Sequence, residues 1–259
     1  AIAAPPPLDV TLRDPAWAGL EGESLAPGHL RLADAGPVPE LAGFDEGAWW
    51  VQDLAASIPA RLIGAGQGRA LDLCAAPGGK TLQLAAAGWK VTAVDASKSR
   101  AARLGENLAR TGLSAETVVA DVLDWSPGMP AEAVLVDAPC SATGIFRRHP
   151  DVLHRAHGGV IAEMADLQQR ILARAADWVT PGGVLVYATC SLEPEEGEAQ
   201  IARFLAARAD FAVMPPAPGE LPYGIAAHPD GHVRTLPGTV EAKGGCDGFF
   251  VARLRRASA

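Results

Sequence analysis

Residues 70–81 read ALDLCAAPGGKT, and this stretch decides the fold class. Residues 70–74 form a short apolar run that leads into small residues and a glycine pair, which is typical of a buried strand. A helix is predicted directly afterwards, over residues 80–87. A strand, a tight turn and a helix in this order are the opening unit of a parallel α/β sheet.

The same alternation continues along the chain. Further strands are predicted at residues 90–95, 116–121, 133–138, 184–189, 211–214 and 249–254. Ser97 is a suitable N-cap for a helix that runs to Arg110 and stops at Gly112. Apolar side chains at spacings of three or four predict another helix over residues 161–178, ended by the Pro-Gly-Gly of residues 181–183. We therefore expect a parallel sheet with helices on both faces.

Residues 1–46 differ from the rest of the chain because they are rich in Pro and Gly and show little periodicity. We expect them to be an N-terminal linker or part of a small separate subdomain, followed by a main domain over residues 47–259. Residues 48–62 are mostly apolar and predict a helix that Pro59 kinks or ends.

Composition bounds the class of protein. The chain has 259 residues, 49% of them hydrophobic, which is enough for one sizeable core. No apolar run approaches the ~18 residues of a membrane span, and the start has no signal-peptide pattern. The four cysteines lack zinc-site spacing, so we expect no metal and a reducing, cytoplasmic setting, with the chain as a monomer. The net charge of −8 argues against a nucleic-acid partner unless a local basic patch exists.

Residues of chemical interest fall at the carboxyl ends of the predicted strands, where ligands bind in such sheets. They are Cys74, Asp95, Asp121, Asp137 and Cys190. The turn after the first strand fits neither the dinucleotide fingerprint nor a Walker A loop, because only Gly78 and Gly79 precede Lys80. Asp95 could accept hydrogen bonds from both ribose hydroxyls of an adenosine, and Asp121 could reach the adenine. Each Asp alone would more simply cap a loop, but carboxylates at successive strand ends favour a nucleoside ligand.

Two cysteines follow neighbouring strands. Cys140 lies in DAPCSATG after the fourth strand, and Cys190 lies in YATCS at the end of the fifth. A lone buried cysteine is most simply a small hydrophobe. Two thiols in one crevice beside a nucleoside site instead indicate chemistry.

Methylation of cytosine at carbon 5 is a reaction that needs a thiol. Carbon 5 is a poor nucleophile until a thiolate adds to carbon 6 and converts the ring to an enamine. A carboxyl group near the ring, here Asp137, could assist at N3 if burial raised its pKa. Spacing alone leaves open which cysteine attacks.

The motifs DLCAAPGGKT, DAPCSATG and YATCSLEPEE resemble those of the Sun family of RNA 5-methylcytosine methyltransferases. WVQD at residues 50–53, RRHPD at 147–151 and DGFF at 247–250 extend the resemblance over about residues 30–256. It implies a Rossmann-like methyltransferase fold, with a mostly parallel sheet, an antiparallel C-terminal strand and a short N-terminal extension. Residues 1–46 would then be a linker or a partial RNA-binding subdomain, and residues 47–259 the methyltransferase catalytic domain. The cofactor it implies is S-adenosylmethionine, and the substrate is RNA, with 16S ribosomal RNA expected.

The resemblance also assigns roles. It implies that Cys190 is the nucleophile and that Cys140 assists release of the product, with Lys80 and Asp137 beside them. The cofactor-binding residues it implies are Cys74, Ala75, Ala76, Pro77, Gly78, Gly79, Lys80, Asp95, Asp121 and Asp137.

A basic cluster after the Cys140 loop could bind RNA locally despite the net charge of −8. Arg147, Arg148 and His149 are candidates for phosphate contacts, although such a cluster is otherwise a solvated loop. A target base would have to leave its stack to reach the thiol. Two alternatives stay open: a 5-methylcytosine methyltransferase for transfer RNA, and a non-catalytic RNA-binding assembly module.

Overall fold

The computed structural model describes residues 6–33 and 35–258. Residues 1–5 and 34, in the expected N-terminal segment, and residue 259, at the end of the expected catalytic domain, lie outside the described residues.

An antiparallel sheet of three short strands opens the chain: β1 (Leu8–Leu12), β2 (His29–Leu32) and β3 (Trp49–Val51), in the order β2-β1-β3. Val10, Leu12 and Trp49 pack together on one face. The other face of β1 carries Asp9 and Thr11, which are also buried. The sheet joins residues on both sides of position 46, where the sequence predicted the start of the catalytic domain.

The helix predicted over residues 48–62 is wrong for its first half. Residues 49–51 form β3, a 3-10 turn covers Ala55–Ser57, and the α-helix α1 is confined to Ile58–Ile63. Pro59 lies in the first turn of α1, where a missing backbone N–H costs nothing, so it begins this helix instead of ending one.

An eight-stranded mixed sheet forms the centre. Its strands are β4 (Arg69–Leu73), β5 (Lys90–Asp95), β6 (Glu116–Val119), β7 (Ala131–Asp137), β8 (Val179–Thr189), β9 (Phe211–Val213), β10 (Val233–Thr235) and β11 (Phe249–Arg256). The order is β10-β11-β8-β7-β4-β5-β6, with β9 also on β11. Strands β4 to β8 are parallel, and β11 is antiparallel to β8, β9 and β10. The predicted fold class, including the antiparallel C-terminal strand, is confirmed.

Five further helices complete the fold: α2 (Gly79–Ala86), α3 (Lys98–Thr111), α4 (Val152–Arg155), α5 (Gly158–Asp177) and α6 (Glu198–Ala207). Alternate side chains of each strand serve opposite faces: Leu135 packs with α1 and α2, whereas Val134 and Val136 pack with α5 and α6. The predicted N-cap is confirmed, because the Ser97 hydroxyl accepts a hydrogen bond from the Arg100 amide at 3.4 Å. None of the helices within the described residues is long and apolar enough to cross a membrane.

The role predicted for residues 181–183 is wrong. They do not end a helix, because α5 already stops at Asp177 and these residues lie within β8. The pairing register with β7 shifts there, from Val179 opposite Ala131 to Val184 opposite Ala133. The Pro-Gly-Gly sequence therefore marks an irregularity of the strand.

Candidate active site

The pairing of β7 with β8 places the two cysteine loops side by side. Asp137 is in register with Ala188, so the chain leaves both strands at the same level and reaches Cys140 and Cys190 a few residues later. The two sulfur atoms are 3.4 Å apart, and both thiols are free and half-buried. The structure therefore brings together the two thiols that the sequence singled out.

The surroundings of Cys140 change the pKa of its thiol. Its contact with the Cys190 sulfur, its burial and the nearby carboxylate of Glu196 raise the pKa of Cys140 well above its usual value. Cys140 therefore holds its proton at neutral pH and can share it with the Cys190 sulfur.

Lys80 and Asp137 form an ion pair beside the thiols. The Lys80 Nζ lies 2.7 Å from Asp137 Oδ2 and 5.3 Å from the ring centre of Phe249. Burial acts to lower the pKa of Lys80, but the charges of Asp137, Asp72 and Cys190 outweigh it and raise that pKa. Asp137 is thus paired with an ammonium group and is partly exposed, whereas the role expected for it at N3 depended on burial of the carboxyl group.

The loop between β4 and α2 has the backbone of a ligand-binding turn. Cys74 and Gly78 have positive φ values of 60° and 106°. A Cβ atom on Gly78 would also come within 3.0 Å of the Leu104 side chain, so only glycine fits there without a shift. Burial and three nearby carboxylates raise the pKa of Cys74 to about 12, so this third thiol is not a nucleophile.

Asp95 anchors this loop. Its buried carboxylate accepts hydrogen bonds from the amides of Ala76 at 3.1 Å and Ser97 at 2.8 Å, and from Arg100 at 3.1 Å. A carboxylate has about four acceptor positions, so one remains for a ligand hydroxyl. Asp121, by contrast, is exposed and accepts from the amide of Leu123 at 2.8 Å, which is the simpler loop-cap interpretation.

Glu196 is a residue of the site that the sequence did not reveal. Its side chain is fully buried and contacts both cysteine loops. Its position within YATCSLEPEE was the only available signal, and Glu195 next to it is exposed.

The arginines predicted to contact phosphates are engaged with carboxylates. Arg148 donates to Asp53 at 2.9 Å and to Asp247 at 3.2 Å, and Arg147 lies 3.7 Å from Asp247 with a side chain only 5% exposed. Burial and the charge of Asp53 raise the pKa of Asp247 to about 7, against the opposing charges of both arginines. WVQD, RRHPD and DGFF thus meet in one ion cluster, and of the predicted RNA contacts only His149 is exposed.

This combination of fold and paired thiols agrees with a family comparison. The family model described as 16S rRNA methyltransferase RsmB/F matches residues 62–255. The chain belongs to the RsmB/F family.

Curated relatives agree with this assignment. The chain is 44% identical over 238 residues to the ribosomal RNA small subunit methyltransferase B of Sodalis glossinidius, covering 89% of this chain and 52% of the relative. It is 42% identical over 249 residues to the same-named protein of Klebsiella pneumoniae, covering 92% of this chain and 54% of the relative. The chain thus spans about half the length of the curated relatives it matches.

Solved structures support the fold of this RsmB/F member. A methyltransferase homolog from Pyrococcus horikoshii superposes with a TM-score of 0.79 at 25% identity, covering 98% of this chain and 88% of the other. NSun6 from the same organism, solved with the S-adenosylmethionine analogue SFG, superposes with a TM-score of 0.74 at 27% identity, covering 90% and 58%. The fold is that of S-adenosylmethionine-dependent methyltransferases.

Proposed function

We propose that this chain methylates carbon 5 of a cytosine in 16S ribosomal RNA, through a covalent bond between Cys190 and carbon 6. The observation that carries the proposal is the pair of free thiols 3.4 Å apart at the carboxyl ends of β7 and β8. Family membership supports the coarser part, methylation of ribosomal RNA. The second thiol supports the finer part, because methylation of a ring nitrogen or hydroxyl needs no nucleophile of this kind.

The cofactor site fits S-adenosylmethionine. Residues 75–79 are small or Pro, and the left-handed turn at Gly78 lets the backbone approach a ligand closely, while the Asp95 carboxylate keeps an acceptor position for a ribose hydroxyl. Residues 74–80, Asp95 and Asp137 would hold the cofactor, with Asp121 as a further candidate. When bound, it supplies an electrophilic methyl group on a sulfonium ion.

We assign the attack to Cys190 because the motifs around the two cysteines resemble those of the Sun family, which implies this order. Once the Cys190 sulfur has added to carbon 6, carbon 5 gains the methyl group. Loss of the carbon 5 proton restores the ring double bond as the bond between sulfur and carbon 6 breaks. Cys140, beside the departing sulfur, assists this release. The Lys80–Asp137 pair is placed to stabilise the altered ring by hydrogen bonds.

Substitution of each cysteine separates the two roles. We expect Cys190→Ser to abolish methyl transfer to ribosomal RNA, and Cys140→Ser to accumulate protein covalently attached to RNA. The measurement is transfer of a radiolabelled methyl group, with denaturing gels to detect the adduct. Cys246→Ser is the matched control, because Cys246 lies outside the thiol pair and is expected to leave both results unchanged. Full activity of Cys190→Ser would refute the mechanism.

The setting and the substrate remain parts of the proposal. Two reduced thiols require a reducing compartment, so we propose a cytoplasmic monomer. Residues 1–46 are proposed to contribute to RNA binding together with the exposed His149. Arg147 and Arg148 would join them by exchanging their carboxylate partners for phosphates. Methylation of transfer RNA instead of 16S ribosomal RNA in the same assay would favour the transfer RNA alternative.

A further inference from the structure

The carboxylate of Glu196 lies between the two cysteine loops and is fully buried. One oxygen accepts from the amide of Ser141 at 2.9 Å and from Gln168 Nε2 at 3.0 Å. The other accepts from the hydroxyl of Ser141 at 2.5 Å and from the hydroxyl of Ser191. Ser141 follows Cys140 and Ser191 follows Cys190, so one carboxylate holds the residue after each thiol.

Among the described residues, Glu196 has no cation as a partner. Within the part of the chain that the structure describes, no Lys, Arg or His nitrogen lies within 4.0 Å of its carboxylate. A buried carboxyl group is costly unless hydrogen bonds satisfy it, and here four donors do so. A residue needed only to fill space would be apolar.

Glu196 contacts the two cysteine loops beyond the point where pairing between β7 and β8 ends. Pairing between β7 and β8 ends with Asp137 opposite Ala188, and the last hydrogen bond joins the Ala138 amide to the Ala188 carbonyl at 2.9 Å. Beyond that point the loops need other ties. Glu196 is itself fixed to β8, because its carbonyl accepts from the Tyr187 hydroxyl at 2.8 Å.

We propose that Glu196 is a positioning residue that holds Cys140 and Cys190 at the separation the two-thiol reaction requires. The inference rests on the function proposed above. Misplacement of a reacting group by about 1 Å can cost on the order of 10²-fold in rate, so loosening either loop should affect the chemical step more than binding.

The test compares Glu196→Ala, Glu196→Gln and the matched control Glu195→Gln, which changes the exposed neighbour. We expect Glu196→Ala to lower kcat on the order of 10²-fold and to leave the KM for S-adenosylmethionine within about twofold. The amide of Glu196→Gln can accept at one atom and donate to the two serine hydroxyls at the other. It should therefore keep kcat within about tenfold of the wild type, and Glu195→Gln should match the wild type.

A second readout needs neither RNA nor cofactor. Phenylarsine oxide binds two adjacent thiols, exchanging its oxygen for two sulfur atoms with release of water, so its affinity reports how well the thiols are held together. We expect this affinity to fall about tenfold in Glu196→Ala and to be unchanged in Glu195→Gln. Cys140→Ser gives the background for single-thiol binding.

The outcomes separate the two proposals. A folded Glu196→Ala with wild-type kcat and arsenical affinity would overturn the positioning role and leave the proposed function standing. A wild type without methyl transfer would end the proposed function, and the arsenical affinity would still decide for or against Glu196. Glu196→Gln as impaired as Glu196→Ala would assign the effect to charge and overturn positioning. If Glu196→Ala does not fold, Ser141→Ala replaces it, and wild-type values for both readouts would overturn the proposal.

Discussion

Asp72 is a buried carboxyl group directly beneath the turn between β4 and α2. Its Oδ2 accepts from the Thr81 hydroxyl at 2.5 Å, while Oδ1 has no partner within the described residues. Burial, with the charges of Asp137 and Asp95, raises its pKa to about 7 against the opposing effects of Thr81 and Lys80. Asp72 therefore keeps its proton in the folded protein well above the pH at which the unfolded chain loses it.

This shift gives stability a defined dependence on pH. Between about 4 and about 7 the folded state binds a proton that the unfolded state has lost, so the free energy of unfolding falls as pH rises. We expect Asp72→Asn to gain stability relative to the wild type over this range, by up to ~4 kcal/mol. Urea unfolding at pH 4, 6 and 8 measures the difference in unfolding free energy between Asp72→Asn and the wild type, with exposed Asp124→Asn as control. A difference that stays constant across these pH values would contradict the shift.

Site residues that lie just after a strand could be predicted from the sequence, whereas site residues defined by contacts with distant parts of the chain could not. Cys140 and Cys190 could be predicted because each directly follows a predicted strand. Glu196 could not, because a buried and an exposed glutamate are adjacent and identical in type. The prediction that Arg148 contacts phosphate could not take its real partner into account, because Asp53 is 95 residues away in the sequence.

Among the structural elements, the loop from β7 to α4 is held by backbone contacts at Gly144. Its amide donates to the Cys190 carbonyl at 2.9 Å, and its carbonyl accepts from the Gly248 amide at 2.8 Å. A Cβ atom there would lie 2.0 Å from the Gly248 carbonyl oxygen, and backbone cannot give way as a flexible side chain does. DAPCSATG, TCS and DGFF therefore meet at one glycine.

Gly144→Ala should disrupt this junction. We expect a loss of roughly 2–4 kcal/mol in the free energy of unfolding, together with loss of methyl transfer, because the Cys140 loop must move. Gly105→Ala on exposed α3 is the control: nothing lies within 4 Å of its Cβ, so it should gain ~0.4–1 kcal/mol. Chemical denaturation of both variants measures the difference. Equal effects of the two substitutions would show that Gly144 is not constrained.

The central strands β7 and β8 could be predicted because they are apolar on both faces. Residues 90–95 are predicted and observed as the same strand, and the start of β7 differs by two residues. The N-terminal sheet was missed because one buried face of β1 is polar and its strands are short. β10 is three residues long within a Pro- and Gly-rich stretch, so no periodicity marks it.

At the scale of the whole molecule, a buried ion pair within the N-terminal sheet is hydrogen-bonded to the segments that precede α1 and β11. Asp9 accepts from Arg31 at 2.7 and 2.6 Å and from the amide of Leu54, before α1, at 3.0 Å. Arg31 also donates to the carbonyl of Lys243 at 2.7 Å. Burial acts to raise the pKa of Asp9, but Arg31 and His29 overcome it and lower that pKa to about 2.

Asp9→Asn tests whether this junction stabilises the molecule as a unit. A pKa below the unfolded value of 3.8 means that Asp9 contributes stability above about pH 4 and loses it as pH falls toward 2. We expect Asp9→Asn to lose roughly 2–4 kcal/mol at pH 7, because Arg31 is left as a buried charge with a neutral partner. Exposed Asp14→Asn, on the same segment, should change the free energy of unfolding by less than ~0.5 kcal/mol.

Two measurements show whether Asp9 stabilises the whole molecule or only the N-terminal sheet: the pH dependence of the unfolding free energy and the number of unfolding transitions. The difference in unfolding free energy between Asp9→Asn and the wild type should narrow as pH falls from about 4 toward 2. In this range the unfolded wild type binds a proton at Asp9 that the folded state does not, which lowers the stability of the wild type. If the two sheets form one cooperative unit, tryptophan fluorescence and far-ultraviolet circular dichroism should report one shared urea midpoint, lower in the variant. An early fluorescence transition of Trp49 and Trp50 in β3, with the central sheet unchanged, would show instead that the N-terminal sheet unfolds independently.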